Sequence, residues 1–187
     1  MESTDISKTI DAVWKIESPK LIAALARMTR GDVGLAEDLA QDALVSALEQ
    51  WPEEGIPRNP GAWLMAIAKR RGIDHFRRNK LTDVKHEQVG YEMQARQEDA
   101  APDFETALDD DVGDDLLRLI FTACHPVLST EARVALTLKL LAGFTTEEIA
   151  RGFLATEPTI HQRIVRAKRT LADKKVAYEV PSGPELS

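Results

Sequence analysis

The most reactive side chains in this sequence are badly placed to react. Cys124 and His125 are neighbours in a helical stretch, where successive side chains diverge by about 100°. The thiol and the imidazole therefore make a poor nucleophile–base pair, and no third partner is evident. The other histidines, His75, His86 and His161, are scattered without metal-ligand spacing. No metal site and no cofactor is assigned, and the chain is read as a non-enzyme. Cys124 is expected to be buried filler at a helix end, with Pro126 stopping the helix. What remains is charge. Between Lys69 and Lys80 six cations stand against Asp74, and between Glu157 and Lys175 six stand against Glu157 and Asp173. Between Asp83 and Asp115 twelve acids stand against Lys85 and Arg96. A net charge of -7 thus hides two basic patches around an acidic middle, a distribution suited to a polyanionic partner.

Both basic patches have helical spacing. In residues 145–171, TTEEIARGFLATEPTIHQRIVRAKRTL, Thr145 and Glu148 form a capping box for a short helix reaching Phe153. Thr156 caps a second helix running to about Asp173. Ile160, Ile164, Ala167 and Leu171, spaced four, three and four apart, turn inward against Ile149, Ala150 and Phe153. His161, Gln162, Val165, Arg166 and Arg169 then face outward, where a major groove would lie. This is a helix-turn-helix: early residues of a rigid helix reach base edges while later cations hold phosphates. In residues 59–80, Arg70, Arg71, Arg77 and Arg78 share a face with Asp74. Two arginine pairs one heptad apart suit a run of phosphates, with Asp74 orienting the guanidinium groups. A third helix, around AEDLAQDALVSAL at 36–48, turns Asp38, Gln41, Asp42 and Glu49 outward. By itself that is only an acidic amphipathic face.

The elements that must position these residues read as helices throughout, with no sustained period-two alternation. Ser18-Pro19 is expected to open a helix that Gly31 closes. The next spans about 35–51 on a stripe of Leu35, Leu39, Ala43, Leu44, Ala47, Leu48 and Trp51, and Pro52, Gly55, Pro57 and Pro60 enforce a loop after it. Asn59-Pro60 starts another helix by the same cap logic. Residues 82–111 carry few large apolar side chains and are read as a flexible linker. Helical pattern resumes from Val112 to Cys124 and from Thr130 to Ala142. No apolar run approaches the ~20 residues a membrane helix needs. A single cysteine and the lack of a secretory signal suit a reducing cytoplasm.

The order AEDLAQDAL, a loop, NPGAWLMAIAKRRGIDHFRR, an acidic linker and a helix-turn-helix resembles the extracytoplasmic-function (ECF) sigma factors of bacterial RNA polymerase. FTACHPVLS with FLATEPTIHQRIVRAK resembles a subgroup that normally continues into a large C-terminal extension. The resemblance implies an all-α chain of two small domains, a region 2 bundle (1–81) and a region 4 helix-turn-helix (112–175), joined by the acidic linker (82–111) and followed by a disordered tail (176–187). It implies promoter-specific initiation: recognition of the -35 and -10 elements and help in melting the duplex. Asp38, Gln41 and Asp42 would dock on the polymerase clamp helices, and the flap would be a second polymerase contact. The loop 51–59 would cradle a base flipped from the -10 element, with Asn59, Arg70, Arg71, Arg77 and Arg78 on nearby DNA. Trp63 could stack that base, but at the head of an apolar helix it is assigned to the core. At the -35 element His161, Gln162 and Arg166 would read bases, Arg163 and Arg169 would hold phosphates, and Thr159 and Val165 would adjoin them. Promoter DNA, core polymerase and an anti-sigma factor are the implied partners, and a membrane is not.

Two rivals stay open at this level. A stand-alone helix-turn-helix regulator would need neither the second basic patch nor the acidic helix. An adaptor with no DNA role would carry both basic faces merely as solvated surface. About 30 linker residues would span up to ~100 Å when extended, enough to separate the two domains on polymerase. In the free protein the acidic linker is expected to lie across the basic faces, screened over ~8–10 Å. Neutralising Asp109, Asp110, Asp111, Asp114 and Asp115 should then strengthen DNA binding.

Overall fold

In the computed structural model the described residues, 3–87 and 112–181, form seven α-helices and no strand. They are α1 (Ser3–Met28), α2 (Val33–Glu54), α3 (Pro60–Glu87), α4 (Val112–Ala123), α5 (Thr130–Leu140), α6 (Thr146–Gly152) and α7 (Glu157–Asp173). The all-α class is as expected, and the two C-terminal helices run as read from the sequence.

The first helix departs from expectation. α1 does not open at Ser18-Pro19 but passes through it. An interior proline removes one backbone hydrogen bond and costs ~3 kcal/mol. Burial offsets that cost: Ile10 is fully buried, and Ile6, Val13 and Trp14 pack on the same core one to three turns before the proline. Ser18 is buried and is a packing contact rather than a cap. α1 ends at a tight turn in which Arg30 and Gly31 both take positive φ, 56° and 89°. The Gly31 N–H donates to the Ala26 carbonyl at 2.7 Å, closing the helix as read.

α2 starts two residues earlier than expected because Asp32 caps it, its carboxylate accepting from the Leu35 N–H at 2.9 Å. Its buried stripe keeps Leu39, Ala43, Ala47 and Trp51 of the expected set but turns away from the other three members. Ala36, Ala40, Ala43 and Ala47 are wholly buried, whereas Leu48 is exposed and Leu35 and Leu44 are only half-buried. Small side chains let α2 approach α1 closely; Leu39 stays in the core, while Leu35, Leu44 and Leu48 lie toward the rim. Trp51 lies in α2 and in the core, as its place on the apolar stripe required, but the helix runs on to Glu54, so the loop read as 51–59 starts later and Pro52 sits in the last turn. Trp63 is half-buried edge-to-face against it, centroids 5.2 Å apart, as its assignment to the core required. α3 begins where Asn59 caps it, its side-chain oxygen accepting from the Ala62 N–H at 3.0 Å. It continues to Glu87, into the stretch read as linker, and the rest of that stretch lies outside the described residues.

The C-terminal helices do not stand apart. α4 lies along α1, and one continuous core runs from Ile10 through Leu119, Leu136 and Ile149 to Leu171. Asp115, counted with the acidic middle by sequence, is buried at 2 % exposure. Its carboxylate accepts from Arg27 Nε at 2.8 Å and Arg118 Nη1 at 2.9 Å, tying α4 to α1. After α7 the chain folds back: Val176 packs on the core and the Tyr178 hydroxyl lies 2.9 Å from the carbonyls of both Ala23 and Asp115. Residues 176–181, read as the start of a disordered tail, are therefore docked, because one aromatic ring and its hydroxyl find a partly buried seat. Cys124 is also corrected. Ala123 fills the core at the end of α4, and Cys124, one residue on, is exposed with its sulfur 3.6 Å from Thr137 Oγ1.

Candidate nucleic-acid interface

Local chemistry fixes α7 and the short helix before it. Thr145 Oγ1 accepts from the Glu148 N–H at 3.1 Å and Glu148 Oε2 accepts from the Thr145 N–H at 2.8 Å, completing the capping box of α6. That N–H, more than any other influence, holds the Glu148 carboxyl below the usual range, and Lys15, 3.6 Å away, adds to the effect. α6 ends at Phe153. Leu154 then takes φ 51° and is 97 % exposed, while the N–H groups of Leu154 and Ala155 return to the carbonyls of Arg151 and Ala150. This is the left-handed closure that usually carries glycine. Thr156 caps α7, with its hydroxyl 2.8 Å from that of Thr159.

α7 buries Ile160, Ile164, Ala167 and Leu171 against a core that includes Ile149 and Ala150. Thr159, His161, Gln162, Val165, Arg166 and Arg169 are exposed together along the opposite side. Arg163 is different: it is half-buried, its guanidinium 5.2 Å from the centre of the Phe153 ring. Phe153 thus stiffens it toward one rim of the exposed side of α7. Arg169 reaches Asp173 at 3.7 Å, both largely exposed. A pair of that kind contributes little and releases readily to a phosphate.

The second basic face lies on α3. Leu64 and Ala68 anchor the helix inward, and Arg70, Arg71, Arg77 and Arg78 are exposed. Arg78 returns to Asp74 through Nε and the backbone carbonyl, at 3.2 Å. Lys69 is buried and leaves this face. Asn59 is exposed at the head of α3, with its oxygen committed to the cap. On α2, Asp38, Gln41 and Asp42 are exposed as expected. Partial loss of water around the Asp38 carboxyl raises it above its usual range, Lys168 opposes this, and the charges of Glu37, Asp42 and Asp32 reinforce it. Among the described residues no three histidine, cysteine or acidic side chains gather as a metal would require, and no helix is long and apolar enough to cross a membrane.

Two family patterns match this arrangement. The one described as Sigma-70 region 2 covers residues 16–82, α1 to α3, and the one described as Sigma-70, region 4 covers 118–171, from within α4 into α7. A relative in Mycobacterium tuberculosis, named "Probable ECF RNA polymerase sigma factor SigI", is 27% identical over 176 residues. This chain belongs to the ECF sigma factors of the sigma-70 family. An uncharacterized protein of Rhizobium meliloti is 35% identical over 173 residues. The matches cover 92% and 91% of this sigma-family chain, but 40% of the Rhizobium protein and 57% of the mycobacterial one, so the chain spans about half the length of these relatives.

The exposed side of α7 and the exposed arginines of α3 lie where the sequence places them, because each set lies within one helix. Sequence reasoning missed Glu37, Lys168, Asp115 and Tyr178, which matter through partners far along the chain. A weak signal existed for one of them. Lys168 follows Ile164 by four residues and Ala167 by one, so its stem had to leave along the buried stripe of α7.

Proposed function

We propose that the chain directs promoter-specific initiation by bacterial RNA polymerase. One observation carries the reading: two exposed cationic helix faces, on α7 and on α3, share a chain with an exposed acidic face on α2. Arg166, Gln162 and His161 read base edges of the -35 element, with Arg163 and Arg169 on its phosphates and Thr159 and Val165 beside them. Asn59, Arg70, Arg71, Arg77 and Arg78 hold the -10 element while the duplex opens. Asp38, Gln41 and Asp42 meet the clamp helices.

A groove of about 360 Å³, lined by Val134, Leu138, Phe144, Ile149 and Phe153 among others, suits an apolar edge of the polymerase flap. Its wall residues Val134 and Phe144 are exposed without such a cover. An anti-sigma factor is a further partner, and the cytoplasm is the compartment in which the chain acts. Run-off transcription with core polymerase and a library of promoter fragments, with and without the protein, tests this. Transcripts dependent on the protein, starting at a fixed distance from a shared sequence, are expected. Binding to duplex DNA without any affinity for core polymerase would instead identify a stand-alone regulator.

A further inference from the structure

Phe153 stands where two surfaces of the C-terminal helices meet. It lies in the turn between α6 and α7 and helps to line the apolar groove of about 360 Å³, with Val134, Leu138, Phe144 and Ile149. The same ring carries the Arg163 guanidinium 5.2 Å from its centre. Both side chains are half-buried, while Gln162 and Arg166, their neighbours on α7, are exposed. The backbone under the ring is pinned. The Phe153 N–H donates to the Ile149 carbonyl at 3.0 Å, and the Ala155 N–H donates to the Ala150 carbonyl at 3.0 Å. The ring can therefore move only about its own side-chain bonds. On the groove side little stops it: Gly152 brings no side chain, a Cβ there would meet no atom within 4 Å, and Val134 and Phe144 are 44% and 39% exposed.

A cation over an aromatic face favours that position about two- to fivefold at a site open to water. A long side chain that must be ordered on binding weakens a complex, and one ordered beforehand does not. Arg163 resting on Phe153 is ordered before DNA arrives, and its planar fork is presented to a phosphate in one direction. The platform is only as steady as its far side. An apolar group that fills the groove takes away the room into which the ring turns. It thereby favours the ring position that seats Arg163, without touching Arg163 itself.

We infer that Phe153 is a positioning residue that joins the groove to DNA: its ring seats Arg163 for a backbone phosphate, and filling the groove tightens that seat. This rests on the reading of α7 as the DNA-binding helix and goes beyond it by naming what sets the grip of one of its cations. Because such coupling is reciprocal, DNA held by Arg163 also favours an apolar partner in the groove.

The test is the affinity of the full chain for a short duplex of mixed sequence at low salt, read by fluorescence anisotropy. Phe153→Leu keeps an apolar side chain but removes the ring, and should weaken binding about two- to fivefold with a shallower salt dependence. Phe153→Tyr restores the ring and should bind within about twofold of the parent chain. Arg163→Ala should weaken binding as well, and adding Phe153→Leu to it should change nothing further. Val134→Phe, which fills the groove from α5, should tighten binding by the parent chain about twofold and leave the Arg163→Ala chain unchanged. Additive losses from Phe153→Leu and Arg163→Ala overturn the inference, and so does a tyrosine variant as weak as the leucine one. Tightening by Val134→Phe in the absence of Arg163, or no tightening in its presence, overturns it too. A parent chain that binds no duplex at all sinks instead the reading of α7 as a DNA-binding helix.

Discussion

Asp115 offers a direct test of whether the two halves share one cooperative structure. Replacing it with alanine removes two charge-assisted hydrogen bonds, to Arg27 and Arg118, from a carboxylate that is almost wholly buried. Removing one partner of a fully buried ion pair costs about 3–5 kcal/mol, most of it from the charge left behind. Here the arginine side chains are 36% and 27% exposed and can turn toward water. That reduces the expected loss to about 2–3 kcal/mol, or a fall in Tm of about 4–12 °C for a chain of this length. Asp114 is the control: it is exposed in the same first turn, and its loss removes only the favourable end charge of α4, below about 1 kcal/mol. Thermal unfolding followed by circular dichroism reads both. In a double-mutant cycle Arg27→Ala should add far less than its own cost once Asp115 is gone. Equal Tm values for Asp114→Ala and Asp115→Ala would refute the argument, and so would full additivity with Arg27→Ala.

Further outcomes follow from single residues. Arg166→Ala should weaken binding of the preferred -35 sequence by about 1–3 kcal/mol and flatten base preference there, whereas Arg169→Ala should weaken all sequences alike and lower the salt slope by about one, both read by fluorescence anisotropy titrations. Leu154→Gly should raise Tm, because a left-handed leucine costs about 1–2 kcal/mol and glycine returns about 0.5–1 of that as chain entropy. Its side chain is 97 % exposed, so no packing is lost, and Leu154→Ala should do nothing comparable. Asp38 has its carboxyl raised in the folded chain, so any stability it contributes is present below its ordinary range near pH 4 and declines as the pH rises. Asp38→Asn should therefore hold or slightly raise stability at neutral pH, by less than about 0.5 kcal/mol, while weakening affinity for core polymerase. Urea titration at pH 4 and pH 7 beside a polymerase pull-down separates the two effects.

What could be read from the sequence was what is encoded within one or two turns. The capping box, the four-three-four apolar spacing of α7 and the cap at Asn59 are local, and the structure reproduces each of them. Burial on α2 was legible in part: Leu39, Ala43, Ala47 and Trp51 are buried as read, whereas close approach to α1 buries Ala36 and Ala40 in place of Leu35, Leu44 and Leu48. The path of α1 through Pro19 was unreadable from the cap signal alone, because distant packing overrides a local breaker. Lys168 and Glu37 lie 131 positions apart, and Tyr178 and Ala23 lie 155 apart. No periodicity spans such distances. The acidic stretch expected to lie across the basic faces falls largely outside the described residues. Of the residues named for that screening test, Asp115 is corrected: it anchors α4, and neutralising it would damage the fold rather than free the DNA-binding surface.

The continuous core has a consequence for engineering and for descent. Grafting the last four helices of a relative onto the first three of this chain, in the hope of exchanging promoter preference, would transplant the reading surface but mismatch the joint at Arg27, Gly31, Asp115 and Tyr178. Such hybrids should retain DNA contacts and yet be poorly soluble. Exchanging only the outward residues of α7 would leave that joint whole, which makes the helix exterior the cheaper route to new specificity.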